Sequence, residues 1–266
     1  MGFKSFLLTE GRSQPLETDK AVDLYKKKCK NYRWDDQLLY RGIKGSSLVP
    51  LYIDPKKHER KSRNTDNYYT LWTDNSKKWS TYPKRSESII CTSYRGYTLR
   101  YGQTYRVIPL DGATIGICPT EDWWNSFGKF LFDMPNVKGM YDFINELTLI
   151  VSNILDKPKE PLRDRMNESY ESLLGILKEA DAELKRKGQD ARSLILEWYD
   201  VLEKYGGVVN MMDTVFDPTP NKFKAMPFDK YTISNFPSNE IWTDSPSLLI
   251  TALSDLERDF REMVGE

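Results

Sequence analysis

Polar residues of three chemical types stand at the ends of predicted strands. Arg41 lies near the end of the strand-like run QLLYRG (37–42), Thr92 and Ser93 follow SIIC (88–91), and Glu240 lies at the start of NEIW (239–242). A guanidinium binds anionic oxygens through two parallel hydrogen bonds, hydroxyl groups bond to sugar or phosphate oxygens, and a carboxylate stabilises developing positive charge. Strand ends hold such groups rigidly, so we expect the three types to meet at one cleft.

The order of these elements along the chain resembles the ADP-ribosyltransferase family, in its Arg-Ser-Glu class. In that family an arginine on the first core strand binds nicotinamide adenine dinucleotide (NAD), a Ser-Thr-Ser element on the second orients the ribose, and a glutamate on a later strand stabilises the transition state. Here LYRG (39–42) matches the first element, and Cys91-Thr92-Ser93 matches the second with cysteine in place of the first serine. Glu240 matches the third.

A longer stretch, WSTYPKRSESIICTSYRGYTLRYGQTYRVIPLDGATIGICPTEDWWNSF (79–127), also looks like transferase-like proteins encoded by tailed bacteriophages. The resemblance covers roughly residues 37–127 and 232–252 and leaves the block between them as an insertion. It implies an α+β fold with an ADP-ribosyltransferase-like split β-sheet core. The implied domains are the N-terminal part of the core (1–136), a helical insertion (137–206) and a C-terminal segment that completes the core (207–266).

The resemblance implies NAD as the cofactor and no metal. Cleavage of the bond between ribose and nicotinamide builds oxocarbenium charge on the sugar, which a carboxylate hydrogen-bonded to a ribose hydroxyl stabilises. The implied catalytic residues are Glu240, Arg41 and Ser93. The implied NAD-binding residues are Arg41, Gly42, Arg85, Ser88, Thr92 and Ser93.

Two carboxylate positions compete for the catalytic role. Glu240 begins a predicted strand, whereas Glu121 and Asp122, in CPTEDWW, directly follow one. The family commonly places Glu or Gln two residues before its catalytic glutamate, and this chain has Ser238 there. That departure leaves the acceptor of the ADP-ribose open among a protein side chain, a nucleic-acid base and water.

Three functions follow from these features. The first is an NAD-dependent ADP-ribosyltransferase that modifies a macromolecular target, as a phage protein acting on its host. The second is a non-catalytic binding protein that inhibits a host defence factor, and the third is a virion component. The enzyme requires Arg41, Ser93 and one carboxylate to converge on a cleft of ligand size, whereas a binding protein does not.

Each candidate residue also has an ordinary structural role. Arg41 suits a protein surface, and Thr92 and Ser93 suit a turn or a helix cap. Tryptophans are more typical of core anchors than of cofactor platforms, and this applies to Trp123, Trp124 and Trp242. The single histidine, His58, lies in KKHERKSR, which is typical of a solvated surface loop.

Composition sets broad limits on the function. The 266 residues carry 39 basic and 39 acidic side chains, so no global field favours nucleic acid or an anionic membrane. Three cysteines (Cys29, Cys91 and Cys118) without C-x-x-C spacing favour a reducing cytoplasm, which would be the host cytoplasm for a phage protein. No segment reaches the ~20 apolar residues of a membrane span. The sequence does not indicate the oligomeric state.

Hydrophobic periodicity predicts the elements that position these residues. Helices are expected at 21–30, through the apolar face of 141–154, at 167–187, at 191–204 and at the C-terminus, from about 246 or 254 to 263. Strands are expected at 37–42, 88–91, 105–109 and 114–118, and residues 54–79 are expected as a long loop or a helix. Beyond Gly206-Gly207 the chain is predicted to be irregular. Between NEIW and SLLI we favour a hairpin turned at 243–246 over a helix that starts at SLLI.

Overall fold

The computed structural model describes residues 13–45, 48–57, 67–131 and 134–266. It divides the chain into two compact units, each with its own secondary structure. The first unit holds the described residues of Met1–Arg63, Thr81–Asp122 and Phe223–Glu266, and the second holds those of Asn64–Ser80 and Trp123–Lys222. Residues 137–206, predicted as a helical insertion, lie inside the second unit. Among the described residues, sheet and helices occur together and every strand pair is antiparallel, which confirms the α+β class.

One antiparallel sheet of nine strands forms the first unit, in the order β1-β3-β9-β5-β2-β4-β8-β6-β7. The four strands predicted from 37 to 118 are confirmed, with shifts of at most three residues at their ends. The strands are β1 (Gln14–Pro15), β2 (Tyr40–Ile43), β3 (Leu51–Ile53), β4 (Ile89–Thr92), β5 (Gln103–Pro109), β6 (Thr114–Ile117), β7 (Lys224–Pro227), β8 (Glu240–Thr243) and β9 (Ser247–Thr251).

Two helices, α1 (Thr18–Lys28) and α10 (Ser254–Val264), contact each other and the interior strand β9. Every residue of β9 is buried, and so are six of the seven residues of β5, because both faces of the sheet centre are covered. Aromatic rings from Tyr25, Trp34 and Phe260 pack together at this layer, with centroids 5.9–6.3 Å apart. The C-terminal helix α10 begins at Ser254, which is the later of its two predicted starts.

The hairpin expected between NEIW and SLLI is wrong. SLLIT is a strand, but β9 pairs with β3 and β5, whereas β8 pairs with β4 and β6. All five residues of β9 are buried, so this strand is stable inside the sheet between β3 and β5 and not in a solvated two-stranded hairpin with β8. The segment that links β8 to β9 is stabilised by the Thr243 hydroxyl, which donates to the Thr114 carbonyl and accepts from the Ser245 amide.

The second unit is helical. Its helices are α2 (Tyr68–Asn75), α3 (Gly128–Leu131), α4 (Met140–Leu155), α5 (Lys159–Met166), α6 (Tyr170–Lys187), α7 (Arg192–Ile195), α8 (Glu197–Tyr205) and α9 (Val208–Val215). The periodic stretches 141–154 and 167–187 are confirmed as α4 and α6, although Tyr141 of the predicted apolar face is 63% exposed. The N-cap of α6 is Ser169, whose hydroxyl accepts from the Ser172 amide.

Two sequence expectations for the second unit are wrong. The helix predicted at 191–204 is interrupted at Leu196, whose φ is 42°. The segment after Gly207 was expected to be irregular and forms α9 instead. Its first amides, from Val208 and Val209, donate to the carboxylate of Asp181 on α6, so the cap comes from a distant part of the sequence. Burial raises the pKa of Asp181 despite these two donors.

The basic segment 54–79 is only partly described. A 3-10 turn covers Pro55–Lys57, and α2 and a second 3-10 turn, Lys77–Trp79, follow residue 67. His58 and most of KKHERKSR lie outside the described residues. Within the part of the chain that the structure describes, no helix is both long and apolar enough to cross a membrane.

Candidate functional site

Three neighbouring strands, β2, β4 and β8, bring the predicted polar residues together. Tyr40 lies opposite Thr92 across β2 and β4, and Thr92 lies opposite Glu240 across β4 and β8. Residues directly opposite one another in antiparallel strands share a face, so these three side chains stand in one row. Pairing between β2 and β4 is limited to this single position, which leaves the two strands unpaired beyond it.

A cavity of about 310 Å³ lies at this point and is called the strand-end cavity here. Its volume falls at the lower end of the ~300–1,000 Å³ usual for ligand sites. The wall is formed by backbone and side chains of β2, β4, β8 and two loops of the first unit. Its residues are Tyr40, Arg41, Gly42, Arg85, Ile90, Cys91, Thr92, Tyr97, Thr98, Arg100, Tyr101, Glu121, Asp122 and Glu240.

Arg41 lies where β2 and β4 have stopped pairing. Its Nη1 donates to the carbonyl of Ile90 at 2.5 Å, and only 9% of the residue is exposed. The next residue, Gly42, lies against a 3-10 helix, Arg95–Tyr101: a Cβ on Gly42 would fall 2.5 Å from the Thr98 carbonyl oxygen. Glycine is therefore required for this helix to close one side of the cavity.

Glu240 is held by a buried arginine. Nη2 of Arg85 lies 2.6 Å from Oε1 of Glu240, and the two side chains are 3% and 13% exposed. The guanidinium lies 5.7 Å from the ring centroid of Trp242, whose Nε1 donates to the Pro83 carbonyl at 2.9 Å. Trp242 is thus a core residue that supports Arg85, and Arg85, predicted to bind NAD, fixes the candidate carboxylate.

The two predicted serines lie elsewhere. Ser93 is 4% exposed and exchanges hydrogen bonds with the backbone of Asn239, which extends the pairing of β4 with β8. Ser88 is also 4% exposed, and its hydroxyl donates to the Lys84 carbonyl at 2.6 Å. Among the described residues of the cavity wall, neither serine is present. Thr92 supplies the hydroxyl at the cavity, where its Oγ1 also accepts from the Tyr94 amide.

The rival carboxylates line the same cavity. Glu121 is exposed, whereas Asp122 is 4% exposed and its amide donates to the Thr120 hydroxyl. Burial, with the negative charges of Asp122 and Glu240, raises the pKa of Tyr101, so this phenol is protonated at neutral pH. The wall therefore holds three carboxylates and three arginines, and its formal charges balance.

Sequence reasoning missed six wall residues, one of which is Ile90 of β4. Tyr40 directly precedes Arg41 on β2, but neighbouring strand residues point to opposite faces, so no pattern in the sequence indicated that both line the cavity. The other four lie in or next to YRGYTLRY (94–101), which the sequence marks only as a turn. These four are Tyr97, Thr98, Arg100 and Tyr101.

Cys91 lies in the wall but is not expected to act as a nucleophile. Burial raises the pKa of its thiol to about 12, an effect that Arg41 opposes and Glu240 reinforces. Since all three cysteines are buried, we expect iodoacetamide at pH 8 to leave Cys29, Cys91 and Cys118 unmodified in the folded protein and to modify all three after denaturation. Mass spectrometry distinguishes these results, and rapid labelling of Cys91 in the folded protein would contradict the assignment.

No family model, curated protein or solved structure matches this chain. Within the described residues, no group of three or more histidine, cysteine, aspartate and glutamate side chains is placed to hold a metal ion. The geometry of the strand-end cavity therefore carries the functional argument alone.

Proposed function

We propose that this protein is an NAD-dependent ADP-ribosyltransferase with an ADP-ribosyltransferase-like fold, encoded by a phage and directed at a macromolecule in the host cytoplasm. The observation that carries the proposal is the placement of Arg41, Thr92 and Glu240 on three adjacent strands around one cavity. The single paired position between β2 and β4 supports the opening of the sheet that such a core requires.

The residues of the cavity suit the chemistry of NAD. A guanidinium binds a pyrophosphate through parallel hydrogen bonds, which assigns this role to Arg41. Thr92 supplies the hydroxyl for the ribose, in place of the Ser93 predicted from the sequence. The rings of Tyr40 and Tyr101 offer apolar and stacking contacts for nicotinamide. The cavity volume suits the nicotinamide and ribose half of NAD better than the whole molecule.

Glu240 carries the central step. As the bond between ribose C1′ and the nicotinamide nitrogen breaks, nicotinamide leaves as a neutral molecule with the electron pair, and positive charge develops on the sugar. A carboxylate that accepts a hydrogen bond from a ribose hydroxyl stabilises this charge. The acceptor then forms a bond to C1′ and releases its proton to water. Arg85 holds Oε1 of Glu240 in place during these steps.

The test is incubation of the purified protein with isotope-labelled NAD, with and without a bacterial lysate. We expect nicotinamide release that depends on lysate and transfer of the label to protein or nucleic acid. If the same amount of nicotinamide is released with and without lysate, water is the acceptor and the protein is a hydrolase. Absence of both release and NAD binding would refute the proposed function.

A further inference from the structure

A surface of aromatic and basic residues borders the strand-end cavity. It consists of residues 94–102 (YRGYTLRYG), called the rim segment here, together with Lys44 at the end of β2. Tyr94, Tyr97 and Leu99 are 52%, 41% and 71% exposed, although all three are large apolar side chains. The backbone of Lys44 lies against Gly102, which joins the two parts of the surface.

The rings of the rim segment are held in position. Tyr94 and Tyr97 form an edge-to-face pair with centroids 5.0 Å apart, and the Tyr94 ring also lies over Gly96. Beneath them the Thr98 hydroxyl donates to the Arg95 carbonyl and shares a 2.6 Å hydrogen bond with the Thr104 hydroxyl. Exposed rings that are already ordered lose little conformational entropy on binding, which favours a recognition surface.

The charge of the rim segment is positive throughout. It contains two arginines and no acidic residue, and Lys44 adds a third cation. Nη2 of Arg95 donates to the Ala252 carbonyl at 2.5 Å, a neutral acceptor that leaves the guanidinium charge in place. Arg100 belongs to both the rim and the cavity wall, and the two together hold five basic and three acidic residues, which leaves a positive excess on the rim side.

Rings that alternate with cations match one class of ligand. Single-stranded nucleic acid binds through stacking of its bases on aromatic side chains and through contacts of its phosphates with basic groups. Protein interfaces are also enriched in tyrosine and arginine, but they surround a fully buried apolar core. The rim segment has one exposed aliphatic side chain, Leu99, between Tyr97 and Arg100.

We infer that the rim segment binds single-stranded nucleic acid, with bases stacked on Tyr94 and Tyr97 and phosphates beside Lys44, Arg95 and Arg100. Tyr97 and Arg100 also line the strand-end cavity, so a bound strand lies next to the proposed reaction site. The strand is then the acceptor of the ADP-ribose. That acceptor role rests on the proposed function, whereas binding does not.

The experiment measures fluorescence anisotropy of a labelled oligothymidylate of about 15 nucleotides, long enough for the usual site of about 4–16 nucleotides. NAD is left out. We expect the double variant Tyr94→Ala/Tyr97→Ala to bind about tenfold more weakly or worse. Arg100→Gln is expected to reduce the slope of log K against log salt by about 0.7, the value for one phosphate contact on a single strand.

Matched controls change the same residue types away from the rim. Tyr141→Ala removes a tyrosine that is 63% exposed on α4, and Arg258→Gln removes an exposed arginine of α10; both are expected to bind like the unmodified protein. Circular dichroism verifies that each variant is folded. Equal binding by the rim variants and the controls would overturn the inference, as would equal competition by inorganic polyphosphate, which has no bases.

The two proposals fail separately. Oligonucleotide binding without any nicotinamide release would refute the proposed transferase and leave the binding surface supported. Nicotinamide release with label transferred to protein, and no binding of the oligonucleotide, would overturn the nucleic-acid inference and leave the transferase supported.

Discussion

Replacing Glu240 with glutamine is expected to lower the rate of nicotinamide release by about 10²–10³-fold, because the variant loses the negative charge that stabilises the oxocarbenium-like transition state. The carboxamide keeps the shape of the side chain, and its oxygen can still accept from Arg85. Arg85 loses its charged partner in a site where it is only 3% exposed, so some loss of stability accompanies the loss of turnover. Single-turnover release of labelled nicotinamide at a temperature well below unfolding separates the two effects.

Substitutions of Glu121 and Asp122 provide the comparison for the effect of Glu240→Gln on turnover. Glu121→Gln and Asp122→Asn make the same chemical change in the same cavity wall. We expect the exposed Glu121 to contribute much less to turnover than Glu240, which lies in one row with Thr92. A loss of release in Glu121→Gln or Asp122→Asn that equals or exceeds the loss in Glu240→Gln would assign the catalytic role to the pair after β6.

Gly116→Val is expected to destabilise the protein by about 3 kcal/mol or more. A Cβ on Gly116 of β6 would lie 2.2 Å from ring atoms of Trp242, so valine must displace the indole. Displacement breaks the hydrogen bond from Trp242 to the Pro83 carbonyl and removes the ring beside Arg85. Urea unfolding measures the change in free energy, and we expect weaker nicotinamide release because Glu240 loses its support.

Gly175→Ala is the matched control for that substitution. Gly175 lies within α6, is exposed, and has no atom within 4 Å of the position where a Cβ would be. Alanine favours the helix by about 1 kcal/mol over glycine, so this variant should unfold at a higher urea concentration. Equal unfolding midpoints for Gly116→Val and the unmodified protein would show that the close packing of Trp242 on β6 is not required.

Local patterns predicted the elements whose stability comes from their own sequence. The stretch 141–154 has the 3.6-residue period of α4, and Ser169 supplies a cap in its own helix. The helix α9 was missed because its cap, Asp181, lies 27 residues from Val208 and is brought there only by packing. The predicted pairing of β9 with β8 was wrong for the same reason, because strand pairing depends on contacts between distant parts of the sequence.

The candidate site divides in the same way. Residue types at strand ends indicated Arg41, Thr92 and Glu240, and the structure brings all three to one cavity. Sequence could not tell Thr92 from Ser93, because adjacent residues on a strand face opposite sides and the register decides which one reaches the cavity. It also could not show that Arg85 pairs with Glu240, a contact between residues 155 positions apart.

By itself, the sequence determined the α+β class, six of the nine described strands, about half of the described helices, and the kinds of side chain available for chemistry. Those properties depend on periodicity, capping and turn residues within about 20 positions of one another. The tertiary structure decided the strand order, the choice of Thr92 over Ser93, the ion pair of Arg85 with Glu240, and the position of the rim segment beside the cavity. Each of these is fixed by contacts between distant segments, whose energies depend on the packing of the whole sheet.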